Sequence, residues 1–242
     1  MKNIIITVAA FIMIAFHLSA QNYAMPALRK QDTVILTHKG FTISYNPQHK
    51  NANWVAYQLV GSELSKKKIE RESSFKKDPL YAKTATNVDY KGSGYDKGHL
   101  FPAGSSWTET IMKESFYYTN VSPQTSLLNR GKWKEIEETV RKWAETYDTI
   151  YVVTGGILRT GLKKIGNSVS IPEHFFKLIL VYKTQKKQAI VFLCENKKDC
   201  NCNAISVDEL ERQTGIDFCS ALDKNIQKKI EEKIRLEDWN LK

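Results

Sequence analysis

An α+β fold, with a mostly antiparallel sheet core and flanking helices, is what this sequence predicts. Three observations carry that reading: short β-branched and aromatic runs recur between turn formers, one long stretch repeats its apolar residues at helical spacing, and two further helical stretches close the chain. The composition agrees, because 42% hydrophobic and 26% charged residues suit a globular protein and exclude a disordered one.

Residues 34–36, 41–45 and 54–60 read as strands, separated by turn formers such as Asn46-Pro47. The stretch 65–78 is polar and lysine-rich, which predicts solvated surface. Gly92, Gly94 and Gly98 make 90–98 a loop or a short irregular strand. A helix follows over 129–146, then a strand-like run at 149–153 that ends on Gly155-Gly156. Further strands fall at 169–171, 175–182 and 189–194, the last two forming a candidate hairpin through 183–187. Near the end, 206–213 is helical and stopped by Gly215, and 224–234 is helical again. Ser206 with Glu209 three residues on has the form of a capping box.

The first twenty residues read as a leader and not as part of the fold. Lys2 supplies a positive start, 4–18 is an apolar run short for a bilayer, and Ser19-Ala20 offers small residues before Gln21. The expectation is a signal peptide over 1–20, cleaved after Ala20, and a single domain over 21–242 exported to the periplasm or the medium. No later segment is apolar for long enough to cross a membrane. The chain carries 36 Lys+Arg against 26 Asp+Glu, a formal charge of +10 that favours polyanionic partners. In an exported protein, Cys194, Cys200, Cys202 and Cys219 read first as disulfides, with three pairings open. Zinc is the alternative, disfavoured by the C-x-C spacing of Cys200 and Cys202 and by the lack of a neighbouring histidine.

The chemistry-bearing residues emerge from the long helix. At about 100° per residue, Trp133, Ile136, Val140, Trp143, Ala144 and Tyr147 share one face, while Lys134, Glu135, Glu138 and Lys142 point away. Asn129 falls within the apolar stripe at its start, and Glu137 on its flank. A carboxylate drawn partly out of water is costly unless it is paired, hydrogen-bonded or near a metal; otherwise its stem must carry it back to solvent. Upstream lies Asp96-Lys97-Gly98-His99, an acid, a base and a histidine around a glycine. His38, His49 and His174 have no comparable company in sequence. Between the two lies Thr119-Asn120, with Pro123-Gln124 after it.

In this order and spacing, these pieces resemble the DNA/RNA non-specific endonuclease family. Phe75-x-x-Asp78-Pro79 upstream and Val152-Val153-Thr154-Gly155 downstream agree with the resemblance. It implies a ββα-metal active site that hydrolyses phosphodiester bonds of DNA and RNA and leaves 5′-phosphate ends. His99 would be the general base, with Lys97, Asn120 and Glu137 as further catalytic residues. Asn129 would be the protein ligand of magnesium, with manganese as the alternative ion, and Lys97, Arg130 and Arg141 would contact the substrate. The chain departs from the family at Lys97, where arginine is usual, and at Ser74, where some members have another arginine and Arg71 is the candidate substitute. The competing readings are a catalytically silent nucleic-acid binder and an exported phosphodiesterase on the same scaffold.

Overall fold

In the computed structural model, residues 23–30, 34–64 and 69–239 are described, so the leader expected over 1–20 lies outside the described residues. The strands are β1 (Val34–Thr37), β2 (Phe41–Asn46), β3 (Asn51–Val60), β4 (Asp96–His99), β5 (Val121–Gln124), β6 (Thr149–Gly156), β7 (Lys164–Ile165), β8 (Val169–Ser170), β9 (His174–Val181), β10 (Gln188–Glu195) and β11 (Cys202–Ile205). The α-helices are α1 (Gly61–Leu64), α2 (Asn87–Tyr90), α3 (Glu109–Ser115), α4 (Trp133–Tyr147), α5 (Val207–Thr214) and α6 (Lys224–Glu231).

Seven strands form one sheet in the order β1-β2-β3-β6-β9-β10-β11. Every neighbouring pair is antiparallel, as the sequence predicts. The sheet is covered on both faces, so its two-residue alternation sorts side chains into two cores. Phe175, Ile179 and Val181 of β9 join the core under α4, with Trp133, Ile136, Val140 and Trp143 of that helix. Phe176, Leu178 and Leu180 join the opposite core, with Val207 and Leu210 of α5 and Ile230 of α6. Each fully buried side chain of α4 contributes about 1.5–3 kcal/mol through removal from water, as an upper estimate.

Several expectations are corrected. The stretch 69–78 is not all solvated surface: Asp78 is buried, and Ile69 and Phe75 pack on Ala103, Met112 and Phe116. Asp78 takes hydrogen bonds from Thr119 Oγ1 at 2.5 Å and the Leu80 N–H at 2.8 Å, and lies 3.0 Å from His38 Nε2. His38 therefore does have company, contributed by residues distant in sequence. Burial raises the Asp78 carboxyl, but the bonds from His38, Thr119 and Leu80 outweigh it and hold it below the usual range. At α5 only half of the capping box forms: Ser206 Oγ accepts from the Glu209 N–H, while the Glu209 carboxylate is taken by Arg212 and Gln213.

The four cysteines make one disulfide, not two. Cys194 of β10 and Cys202 of β11 are cross-strand partners and are bonded. Cys200 and Cys219 are free thiols, because Cys200 packs on the α4 side and Cys219 lies in the core under α5 and α6.

The seat of α4 depends on a missing side chain at Gly61. A Cβ there would lie 2.5 Å from the Ala144 carbonyl oxygen and 2.8 Å from the Glu145 Cα, both backbone atoms that no rotamer change can move away. Gly61→Ala is expected to cost about 1–3 kcal/mol and to lower the melting temperature by roughly 2–10 °C. Thermal unfolding checks this, and an unchanged midpoint would show that the helix is not seated so closely.

Candidate active site

Two short strands and a helix build the site. β4 pairs antiparallel with β5, setting His99 opposite Val121 and Lys97 opposite Pro123. Strand alternation puts Lys97 and His99 on one face and Gly98 on the other. Gly98 lies against Gln124, whose Oε1 would be 2.2 Å from a Cβ at that position. After β5 the chain makes a π-helical turn, Leu128–Lys132, with non-helical backbone at Gly131 (φ −105°, ψ −111°) before α4 begins. The helix expected from residue 129 thus starts regularly only at Trp133, and Asn129 is held on the turn that precedes it. Such π-turns are common at functional sites.

Asp96 organises this turn. Its carboxylate accepts Arg130 Nε and Nη2, both at 2.8 Å, Asn129 Nδ2 at 2.9 Å and Ser126 Oγ at 3.1 Å. Burial raises the Asp96 carboxyl, but these donors outweigh it and hold the group below its ordinary range. Because the Asn129 amide nitrogen is spent on Asp96, its Oδ1 is left to the cleft.

The cleft has a volume of 930 Å³, at the upper end of the roughly 300–1000 Å³ usual for ligand sites. His99, Asn129 and Glu137 line it together with Asp96 and six cationic side chains: Arg71, Lys91, Lys97, Arg130, Lys134 and Arg141. The His99 ring packs between Phe75 (centroids 5.1 Å apart) and Phe116 (4.7 Å). Its Nε2 is buried without a hydrogen-bond partner. Burial, reinforced by the Arg71 charge, pushes His99 down to about 3, so the imidazole is neutral at physiological pH. Lys97 Nζ donates to Asn87 Oδ1 at 2.5 Å and stands 5.2 Å from the Phe75 ring centre. Arg71 lies over Phe116 at 5.2 Å, which brings the candidate substitute for the missing arginine into the cleft.

Behind this surface a buried lysine carries a charge that Glu137 offsets. Parity along β9 turns Lys177 to the same face as Phe175 and Ile179, against α4. Lys177 is fully buried, its Nζ has no hydrogen-bond partner, and it sits 4.4 Å above the Trp133 ring. Glu137, one turn along α4 from Trp133, is half-buried. Burial raises the Glu137 carboxyl against the opposing charges of Lys177, Arg141 and Arg71. Burial likewise lowers the Lys177 amine, against the pull of Glu137. Asn129 Oδ1 and the Glu137 carboxylate give the cleft an all-oxygen donor set, which suits a hard divalent cation that retains most of its water.

Of the residues singled out in the sequence, Lys97, His99, Asn129, Arg130, Glu137 and Arg141 share one cleft. Asn120 does not. It is fully buried, accepts the Phe101 N–H at 2.8 Å through Oδ1, and donates through Nδ2 to the Phe101 carbonyl at 2.9 Å and the Ser115 carbonyl at 2.8 Å. These three contacts hold the backbone that leaves β4, apart from the cleft where a part in the reaction was expected of Asn120. Arg130 is exposed at the rim, with two of its donors already committed to Asp96. Sequence reasoning passed over Asn87, which carries no local signal, and Lys177, which does. A lone lysine inside the apolar run Phe175-Phe176-Lys177-Leu178-Ile179 was the clue.

Residues 18–225 match the model of the DNA/RNA non-specific endonuclease family. Human mitochondrial endonuclease G is 32% identical over 173 residues, 66% of this chain and 57% of that protein. A nuclease of Nostoc sp. is 32% identical over 228 residues, covering 87% of this chain and 82% of that protein. Nuclease C1 of Cunninghamella echinulata is 30% identical over 210 residues, 78% of this chain and 83% of that protein. The chain thus spans little more than half of endonuclease G but most of the two nucleases. Among solved structures, the crystal structure of the EndoG/EndoGI complex superposes with a TM-score of 0.74 at 26% identity, over 84% of this chain and 90% of that chain.

Asn120→Ala leaves the Phe101 amide and two carbonyls buried without partners, at a cost of about 2–5 kcal/mol. The expected melting temperature is lower by roughly 5–15 °C. A variant of unchanged stability with lost turnover would instead return Asn120 to the reaction itself.

Proposed function

We propose, from the premise that this chain belongs to the DNA/RNA non-specific endonuclease family, that it is an exported, divalent-cation-dependent nuclease cutting DNA and RNA with little regard for sequence. The observation that carries the reading is the meeting of a neutral histidine, an oxygen donor pair and a crowd of cations in one cleft.

Hydrolysis of a phosphodiester needs a water deprotonated in line with the leaving oxygen, and charge compensation at the phosphate. His99 is the general base: being neutral, it has a lone pair ready for the water's proton. Its depressed basicity is a property of the free cleft. Burial is the larger part of that depression, and a phosphate bound beside Arg71 offsets the part due to that cation, so substrate binding itself strengthens the base. Asn129 Oδ1 would hold magnesium or a similar ion such as manganese, and Glu137 would accept hydrogen bonds from water that the ion retains. When bound, the ion neutralises charge on the scissile phosphate and assists departure of the 3′-oxygen. Attack opposite that oxygen leaves 5′-phosphate ends.

Lys97, Arg71 and Arg141 grip phosphates, and Arg130 does so at the rim while holding Asp96. These groups address the backbone and not base edges, which accounts for tolerance of sequence. Binding weakens steeply with salt as counterions are released. Lys97 is a compact point charge where arginine would offer a planar fork. Its hold on Asn87 shows that its side chain has a defined partner.

The test is incubation of supercoiled plasmid and of total RNA with the protein, in magnesium and in EDTA. Wild type is expected to degrade both only with magnesium, and His99→Ala to lose at least about a hundredfold in rate. Lys97→Arg is expected to match or exceed wild type. Intact substrates with folded wild-type protein would favour the silent binder, and a large loss in Lys97→Arg would show a cleft adapted to lysine.

A further inference from the structure

On the sheet face opposite the cleft, α5 and α6 bring three carboxylates together. Asp208 and Glu211 are three residues apart and share one face of α5. Glu231 reaches them from the end of α6, and the ligand oxygens of all three lie within 4.8 Å of one another. Proximity alone would say little, since acidic groups often cluster on surfaces. Glu231, however, is only 7% exposed, and its Oε1 is buried with no hydrogen-bond partner. A buried acceptor without a donor is costly, and here it is aimed at two further acceptors.

The remaining groups around the cluster do not relieve it. Asp217 adds negative charge, and the Cys219 thiol is fully buried beside Glu211 and Glu231. Lys224 is the one cation that acts on both Glu211 and Glu231. Among the described residues, no ion pair joins it to Asp208, Glu211 or Glu231. Glu211 is fixed by the Phe218 N–H, which donates to its Oε1 at 2.7 Å. That bond leaves the second carboxylate oxygen for the cluster.

We infer that Asp208, Glu211 and Glu231 form a second divalent-cation site, for a hard ion such as calcium, that ties α5 to α6. Oxygen donors alone call for a hard ion. The three ligand oxygens lie within 4.8 Å of one another, close enough for one calcium ion, whose opposed ligands stand about 4.6–5.2 Å apart, to reach them all. Waters complete the shell on the exposed Asp208 side. A proton shared between two carboxyls would satisfy one pair and leave the third group facing a negative neighbour; one ion satisfies all three. The inference does not depend on the nuclease reading.

Calorimetric titration with calcium chloride tests it, using the protein with Asn129→Ala so that the cleft's own candidate ligand is gone. The expected result is one calcium bound per chain, with a melting temperature raised by about 5 °C at saturation. Adding Glu231→Gln or, at the exposed position, Asp208→Asn is expected to weaken binding by about tenfold or more. Absence of calcium binding in the Asn129→Ala protein overturns the proposal, as does binding that neither carboxylate variant weakens. A melting temperature that calcium leaves unmoved in the Asn129→Ala protein also overturns it, and assigns the cluster to a shared proton.

Discussion

Lys177 stands in the middle of a central strand, fully buried, with no hydrogen-bond partner for its ammonium. A charge in that position is tolerated only if something on the facing element compensates it. Two groups do so: the Trp133 ring, 4.4 Å beneath it, and the Glu137 carboxylate, whose field acts on it through the core. Both belong to α4, so the helix must lie flush on the sheet and in one rotational setting. Gly61 permits the close approach, while Trp133, Ile136, Val140 and Trp143 fix the rotation. The same setting carries Glu137 to the cleft and, about two turns earlier on the preceding π-turn, Asn129. The buried lysine and the groups that compensate it are thus the point at which core packing sets the geometry of the cleft.

The other half of the site is built by hydrogen bonds. Asn120 clamps the backbone at Phe101 and Ser115, and Asp78 gathers His38, Thr119 and Leu80. Asp96 fastens the π-turn through Asn129 and Arg130. None of these polar clamps is needed to bury apolar area. Each holds irregular backbone where regular helix or strand would aim a side chain elsewhere. The outcome is a cleft with many fixed cations and few anions, a field prepared for a phosphate before it arrives.

Much of this was legible in the sequence, for identifiable reasons. The antiparallel sheet and α4 announce themselves by period, and the odd position of Glu137 on an apolar flank follows from the same period. What could not be read depends on contacts across long separations. His38 and Asp78 are forty residues apart, and Asn87 meets Lys97 only because α2 and β4 fold together. Asn120 has the residue type of a catalytic amide, and nothing local separates that role from a structural one. The cysteines obeyed pairing by strand register and not by count: Cys194 found Cys202 across β10 and β11, and the sheet kept Cys200 from Cys219. Lys177 was visible and overlooked, since a charge inside an apolar strand reads as an error until the facing helix is placed.

The proposed chemistry requires an imidazole kept neutral by burial and by Arg71, so the ionisation of His99 is the quantity to measure. A histidine with a depressed pKa in the folded state favours the native protein above the unfolded value and loses that contribution as the pH falls toward the folded one. NMR titration of carbon-labelled histidine, with His99 assigned by its absence in His99→Asn, reads that ionisation directly. The expected midpoint for His99 is about 3, moving upward when a phosphodiester analogue binds. A midpoint at or above the ordinary histidine value of about 6.5, unmoved by the analogue, would contradict the account, because the cleft would then neither bury its base nor couple it to the substrate's charge.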